Sequence, residues 1–350
     1  DKRDLDLSPT TIVVIAVICL VLIGLLLKSF LTGTPLQGQT STMIITALPF
    51  IFVGGFLVAA ITGYMAGLIG ASNSPLSGVG ILAIILGALL LAAVAVPAEN
   101  TRHALVAYAL FATSVIFAIA TISNNNLQDL KTGQLVGATP RAQQWALIVG
   151  VIAGSAVIPP VLNLLAQAYG FAGAPAAGAV AQPLPAPQAS LIAALAQGVI
   201  EHKLDWGMIG LGGAIGVVLV VLDDVLGRFK LLRLPPLAVG IGIYLPMSAT
   251  LPVVIGAVLG HFYDRWADRG TNPDRAKRLC VLVASGMIVG ESLFGVILAG
   301  LIVGTSKDAP IGLVSADFAA APWLGLVAFI GLIAVLFGWM RKRMAIQAEN

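Results

Sequence analysis

The sequence predicts an all-α, polytopic membrane protein, and three observations lead to this fold class. Hydrophobic residues make up 58% of the 350 residues. Charged residues make up 10%, whereas a soluble domain carries roughly 25%. About eight segments are apolar over the length that a helix needs to cross a bilayer, about 20 residues. A soluble globule is excluded, because it needs far more polar surface to stay in water.

The candidate spans, in chain order, are 10–27, 43–70, 78–96, 103–123, 144–169, 206–226, 280–303 and 320–340. The second is long, and Gly54, Gly55 or Gly63 could tilt or break it. We treat residues 1–350 as a single transmembrane domain. The net charge of +3 comes from short basic runs beside apolar spans. Such runs are typical of topology signals, so the charge does not argue for a nucleic-acid partner.

Two further apolar segments do not fit a simple crossing. Residues 188–200 form a run of 13 residues, the length expected of a re-entrant element. Residues 235–262 are long enough to span, but Pro246 and Pro252 bracket a polar centre. Basic clusters flank this second segment on both sides. If both clusters are cytoplasmic, the segment enters and leaves on one face. We therefore expect two re-entrant or broken hairpins, with a single kinked span as the alternative for 235–262.

The basic residues also predict the orientation of the loops. With both hairpins in place, the 124–143 loop and the two ends of the chain lie in the cytoplasm. The nearly uncharged 170–187 loop then lies outside. The hairpins enter from opposite faces and each precedes a span. This arrangement indicates an inverted repeat, with which many transporters build a site near the bilayer midplane.

The polar stretch 124–143 is expected to be a loop between two spans. Its first residues, beginning with Asn124, should stop the preceding helix, because short amides compete for backbone hydrogen bonds. Gly137 permits a tight backbone, and Pro140 suits the start of the next helix. Four polar residues could lock a gate by pairing with other cytoplasmic loops, and they are Gln128, Asp129, Lys131 and Thr132. A solvated connector is the alternative.

Glu291 is the candidate proton-coupling residue. It lies halfway along span 280–303, with no basic residue nearby in sequence. An ionised carboxylate at the bilayer centre costs roughly 3 kcal/mol on insertion scales. It escapes that cost by taking up a proton or by facing a wet cavity, and either behaviour suits a proton-coupled carrier. The alternative is a neutral Glu291 hydrogen-bonded beside Ser285 or Ser292.

Uncharged polar groups at helix breaks are the candidate substrate ligands. They occur in the turn after the second span and at the broken centre of 235–262, where backbone groups are also freed. The candidates are Ser72, Asn73, Ser74, Ser77, Tyr244, Ser248 and Thr250. An ordinary turn and a packing adjustment are the alternatives. The sequence shows neither metal-ligand spacing nor a phosphate loop, so we predict no metal site, no cofactor besides a coupling proton, and no catalytic residue.

Four stretches resemble the motifs of the oligopeptide transporter family, in particular its prokaryotic branch related to yellow-stripe-like metal-chelate carriers. They are "GLIGASNSPLSGVGI" at 67–81, "QDLKTGQLVGATPRAQQ" at 128–144, "GIYLPMSATLPVVIGAVLG" at 242–260 and "GMIVGESLFGVILAGL" at 286–301. The resemblance implies proton-driven secondary uptake of short peptides, or of metal complexes with peptide-like chelators. Such transporters are usually about twice this length, so the chain looks like the C-terminal half.

We therefore expect a proton-coupled importer of short oligopeptides in the bacterial cytoplasmic membrane. Import of metal–chelate complexes is the alternative. A channel is less favoured, because "ALAQG" and "MSAT" at the hairpin tips do not repeat each other. An intramembrane enzyme would need paired catalytic groups at membrane depth, and only Glu291 clearly lies there.

Overall fold

The computed structural model of the chain is mainly helical. It describes residues 5–70, 74, 76–96, 99–171, 183, 186–202, 204–245, 247–312 and 318–346. Within these residues there are eleven α-helices and no β-strand. The helices are α1 (Pro9–Leu31), α2 (Thr40–Ile69), α3 (Leu76–Val94), α4 (Arg102–Val136), α5 (Pro140–Tyr169), α6 (Pro187–Ile200), α7 (Trp206–Arg228), α8 (Pro236–Tyr244), α9 (Met247–Ala267), α10 (Pro273–Thr305) and α11 (Ala321–Ile346).

Eight of the described helices are long and apolar enough to cross a membrane. They are α1, α2, α3, α4, α5, α7, α10 and α11. Each coincides with one of the spans expected from the sequence. The fold class is therefore confirmed, and the chain is an integral membrane protein.

The chain divides into two compact units. The first unit comprises residues 1–157 and 186–215, and the second unit comprises 158–185 and 216–350. The first boundary falls inside α5, directly before Pro159 and Pro160. Because each proline removes a backbone hydrogen bond from the helix ladder, this is a weak point of α5.

Helix α4 lies at the centre of the first unit and packs against α2, α3 and α6. Glycines on α2 allow a close contact with α4. A Cβ at Gly55 would lie 2.7 Å from the side chain of Ile119, and one at Gly63 would lie 2.6 Å from Ser123 Oγ. Small residues of this kind let the backbones of membrane helices approach each other. Helix α2 is continuous, so Gly54, Gly55 and Gly63 do not break it.

The prediction of a loop over residues 124–143 is wrong for most of its length. Helix α4 continues through the three asparagines to Val136, because asparagine costs less than about 0.7 kcal/mol relative to alanine. Contacts with α2 on both sides of the asparagines offset that cost. The turn before α5 is confined to 137–139. Gly137 has φ +74°, and Ala138 N donates to Gly133 O at 2.8 Å. These features are a Schellman motif, and they confirm the interpretation of Gly137.

The length of α4 places its polar end outside the hydrocarbon core. Its 35 residues extend for about 52 Å at 1.5 Å per residue. The hydrocarbon core measures about 30 Å, and even a strongly tilted helix of this length exceeds it. The polar C-terminal part of α4 therefore projects beyond the apolar layer.

Both expected hairpin segments are short or broken helices. Residues 188–200 lie in α6, which packs against α3 and α4 through Ala196, Val199 and Ile200. Residues 235–262 are divided between α8 and α9, with the interruption between Tyr244 and Met247. Pro252 lies inside α9 and does not end it. Re-entry into the membrane and an inverted repeat stay predictions. The 170–187 loop lies largely outside the described residues.

The second unit buries few of its described side chains. One cluster joins the ends of α9, α10 and α11 around Tyr263, Ala276 and Met340. There the Tyr263 hydroxyl donates to the Ala276 carbonyl at 2.9 Å. A smaller cluster joins Ala168 of α5 to Ala299 of α10. The middle of α10 carries no buried side chain.

Candidate substrate and proton sites

Glu291 is exposed on α10, within an apolar stretch of that helix. The hydroxyls of its neighbours bond to their own helix. Ser285 donates to Val281 O at 2.8 Å, and Ser292 donates to Ile288 O at 3.0 Å. The alternative in which these serines hold Glu291 is therefore not observed. Within the described part of the chain, the Glu291 carboxylate has no hydrogen bond or ion pair.

The surface around Glu291 is apolar. Met287, Ile288 and Leu293 are exposed on the same part of α10. A carboxylate in this position cannot stay ionised against lipid without a cost of roughly 3 kcal/mol. A proton, water or a polar partner would remove this cost.

Two other acidic residues of the second unit, both on the candidate span α7, are paired with arginines. Asp223 accepts a 2.6 Å bond from the guanidinium of Arg233, and it also accepts from Leu234 N at 3.0 Å. This hydrogen bond raises the pKa of Arg233. Asp224 pairs with Arg228 at 2.8 Å. These two carboxylates hold the end of α7 and the connection to α8. Glu291 differs from them in having no such partner.

The turn after α2 is tied to that helix by one of the predicted substrate ligands. Ser74 Oγ donates to Thr62 O at 3.3 Å. Ser77 is exposed in the first turn of α3. Ser72 and Asn73 lie outside the described residues. Of the predicted ligands in this turn, Ser74 has a structural contact and Ser77 is accessible.

The polar groups between α2 and α4 were not expected from the sequence. The fully buried Thr62 hydroxyl lies 2.8 Å from Val58 O and 3.3 Å from Ala120 O, so it joins the two helices. Ser123 Oγ donates to Ala59 O at 2.8 Å. The sequence does carry a signal for this contact in Gly55, Ala59 and Gly63. Small residues at every fourth position of a membrane helix indicate a helix–helix contact.

A cavity of about 520 Å³ lies beside this contact, among α1, α2, α4 and α5 of the first unit. Its volume is within the usual range of small-molecule sites, about 300–1,000 Å³. Its wall is mostly aliphatic, and its polar members are Ser123, Asn126 and Gln144. An apolar wall with a few amides and hydroxyls can hold an uncharged peptide backbone by hydrogen bonds.

Gln144 lines this cavity and forms hydrogen bonds with the segment before α1. Its side chain accepts from Leu7 N at 2.9 Å and donates to Asp6 Oδ1 at 3.1 Å. Next to it, Arg141 N donates to Leu5 O at 3.0 Å. The end of the 128–144 motif therefore has a structural role, because it binds the N-terminal segment to the start of α5.

The four predicted gate residues lie on α4, and their described contacts stay within that helix. Lys131 Nζ donates to Gln134 Oε1 at 2.9 Å. Thr132 Oγ1 donates to Gln128 O at 3.0 Å. Asp129 is exposed on the same projecting end. The gating role stays a prediction.

The predicted ligands of the broken segment are partly described. Tyr244 ends α8 and Ser248 lies in the first turn of α9, but their side chains lie outside the described part. The Thr250 hydroxyl lies 3.5 Å from Met247 O. The described hydrogen bond between α9 and α10 is at the far end of α9, at Tyr263. The described residues include no group of three or more His, Cys, Asp or Glu that could hold a metal ion.

Comparison with known proteins gives a family and several relatives. Residues 1–302 match the family model "OPT oligopeptide transporter protein". A candidate oligopeptide transporter of Haemophilus influenzae is 41% identical over 347 residues, which cover 94% of this chain and 55% of that protein. A candidate metal–nicotianamine transporter of rice is 28% identical over 194 residues, which cover 53% of this chain and 26% of that protein. No solved structure matches the chain.

The chain thus spans about half the length of the Haemophilus influenzae relative. Nearly all of this chain takes part in the match. The rice relative matches over about half of this chain. The bacterial sequence is the more similar of the two in identity and in coverage.

Proposed function

Because the chain belongs to the OPT oligopeptide transporter family, we propose that it forms part of a carrier that imports short peptides together with protons. Members of this family are transporters and not enzymes, in agreement with the sequence-based expectation. The proposed location is a bacterial cytoplasmic membrane. The positively charged loops support a cytoplasmic position for both ends of the chain.

The Glu291 carboxylate has no partner among the described residues, and this observation supports the proposed proton coupling. In a secondary transporter, one group must hold a proton in one state and release it in another. A carboxylate in an apolar stretch is neutral when it faces lipid or dry protein, and it ionises when water or a cation reaches it. Glu291 is a carboxylate in such an apolar stretch, with no ion pair among the described residues, whereas Asp223 and Asp224 are held by arginines.

A peptide cargo is supported by the kind of polar group that the chain offers. The cavity of the first unit has an aliphatic wall with the Asn126 side chain, and with Ser123 and Gln144, which also make structural hydrogen bonds. Ser77 adds an accessible hydroxyl in the turn that follows α2. Such groups recognise peptide N–H and C=O groups without selecting a particular side chain. The Haemophilus influenzae relative is itself named for oligopeptide transport.

The substitution Glu291→Gln in the full-length protein tests this proposal in proteoliposomes. A glutamine keeps the size of the side chain but cannot release a proton. We expect the variant to lose accumulation of peptides driven by an inward proton gradient, and to keep the exchange of labelled for unlabelled peptide.

Ser292→Ala is the matched control, since that hydroxyl bonds to its own helix. It should keep both activities. Unchanged accumulation in Glu291→Gln, or equal loss of accumulation and exchange in a well-folded variant, would contradict the coupling role.

Import of metal–chelate complexes is the second candidate function. The rice relative, named for metal–nicotianamine transport, favours it. The described residues offer no cluster of metal ligands, so a metal would have to arrive already complexed. The neutral cavity of the first unit is compatible with a chelate whose own groups satisfy the ion.

A further inference from the structure

The second unit carries a groove of about 710 Å³ between the start of α10 and the end of α11. Three arginines line it, Arg275 and Arg278 from α10 and Arg343 from α11. The floor between them is apolar and includes Leu279 and Leu282. The groove therefore combines a cluster of positive charges with a hydrophobic surface.

The described carboxylates form no ion pair with these three arginines. The nearby acid Asp268 pairs with Lys277 at 2.8 Å. Asp274 lies in the first turn of α10 and forms no ion pair with these arginines. The described ion pairs of this unit use other basic residues.

The end of α10 adds to the positive potential. The Asn272 side chain accepts from Arg275 N at 3.2 Å and caps the helix. The other N–H groups of the first turn still give the helix a positive N-terminal end. On the opposite wall, the Arg343 guanidinium lies 5.5 Å from the ring centroid of Trp339, which orients it over the groove.

The groove lies where two candidate spans meet the membrane surface. The candidate span that includes α10 begins at Pro273, and the one that includes α11 ends at Met344. Aromatic side chains gather at the same level, among them Trp266, Phe337 and Trp339. Tryptophan and basic residues at the end of a span mark the depth of the lipid headgroups.

We propose that this groove binds an anionic phospholipid. The three guanidinium groups form charge-assisted hydrogen bonds with the headgroup phosphate, which matches the planar fork of arginine. An acyl chain then follows Leu279 and Leu282 along the apolar face of α10. Basic pockets between membrane helices are known to recognise acidic headgroups in this way. The apolar floor favours a lipid over a free phosphate ion, which would leave that floor in water.

Quenching of Trp339 fluorescence tests the proposal in the full-length protein. Nanodiscs would contain phosphatidylcholine with an equal mole fraction of brominated phosphatidylglycerol or brominated phosphatidylcholine. The difference between the wild type and Trp339→Phe isolates the signal of this residue. We expect stronger quenching by the anionic lipid. Each neutralised arginine should lower the relative affinity about fivefold, the contribution of one basic residue near an anionic surface.

The groove variant carries Arg275→Gln, Arg278→Gln and Arg343→Gln, and it should lose the preference. A matched variant with Lys230→Gln, Arg265→Gln and Arg269→Gln removes the same charge from elsewhere in this unit, and it should keep the preference. Equal quenching by both lipids in the wild type would overturn the proposal. Relief of the quenching by millimolar inorganic phosphate would identify a free anion as the ligand and would also overturn it.

Discussion

The two units differ in how much of their best-packed apolar helices is buried inside the protein. In the first unit, 39% of the apolar segment of α4 and 33% of that of α3 are buried inside the protein, although α1 buries only 6%. In the second unit, the corresponding shares are 11% for α10 and 6% for α11. The helices are similarly apolar in both units. The difference lies in how much of each apolar helix is covered by other parts of the protein.

This difference follows from the small residues and hydroxyls of the first unit. Lipid tails are as apolar as leucine, so hydrophobicity alone does not hold membrane helices together. Close packing and interhelical hydrogen bonds do, and the α2–α4 contact has both at Gly63 and Ser123. The glycines of α10, such as Gly290, face open space. The second unit therefore leaves its apolar faces to lipid or to further protein, and Glu291 lies on one of them.

The largest expected effect comes from adding a methyl group to a packed glycine. A Cβ at Gly80 would overlap the ring of Phe117, so Gly80→Ala must move that ring or shift α3 away from α4. We expect a loss of about 1–3 kcal/mol in the free energy of unfolding, measured by thermal unfolding of the purified full-length protein. Gly290→Ala is the control, with a change within about 0.5 kcal/mol. Similar effects of the two substitutions would remove the contrast between the units.

A smaller effect is expected at the contact that the second unit does form. Tyr263→Phe removes the 2.9 Å hydrogen bond from its hydroxyl to Ala276 O. We expect a cost of about 1 kcal/mol and faster hydrogen exchange at the α9–α10 turn, because this bond joins the two helices. Tyr64→Phe serves as the control, since Tyr64 is exposed on α2. Unchanged exchange at the turn in Tyr263→Phe would show that the turn is held by other contacts.

The smallest effect separates interhelical from intrahelical hydroxyls. Ser123→Ala removes a bond from α4 to α2, and the expected cost is about 0.6 kcal/mol, the average for such bonds in membrane proteins. Ser285→Ala removes a bond that returns to its own helix, and its cost should be near zero. Chemical unfolding of the two variants in the same detergent compares them directly. A larger loss for Ser285→Ala would reverse the assignment of the two hydroxyls.

The spans could be predicted because hydropathy and length constrain membrane helices strongly. The predicted span 206–226 and helix α7 (Trp206–Arg228) begin at the same residue. The end of α4 could not be predicted in this way. The polar run after Ser123 has the composition of a loop, and it stays helical through contacts with α2 that are distant in sequence.

For the same reason, only part of the candidate site could be predicted from the sequence. Glu291 could be identified because an acid in an apolar run is visible in the sequence itself. Two other contacts could not be predicted: the hydrogen bond from Ser74 to Thr62 and the bond between Gln144 and Leu7. Each depends on which segments meet in three dimensions. The sequence predicts which residues carry polar groups, and the fold determines which of those groups are already used.

Uptake by the full-length protein in proteoliposomes tests the proposed function most directly. Under an inward proton gradient, a pool of tri- to hexapeptides would be compared with ferric chelates. Saturable peptide uptake that disappears when the gradient is collapsed is the predicted result. Gradient-dependent uptake of the chelates alone would contradict the peptide proposal and favour metal–chelate import. Peptide flux that does not depend on the gradient would contradict proton coupling.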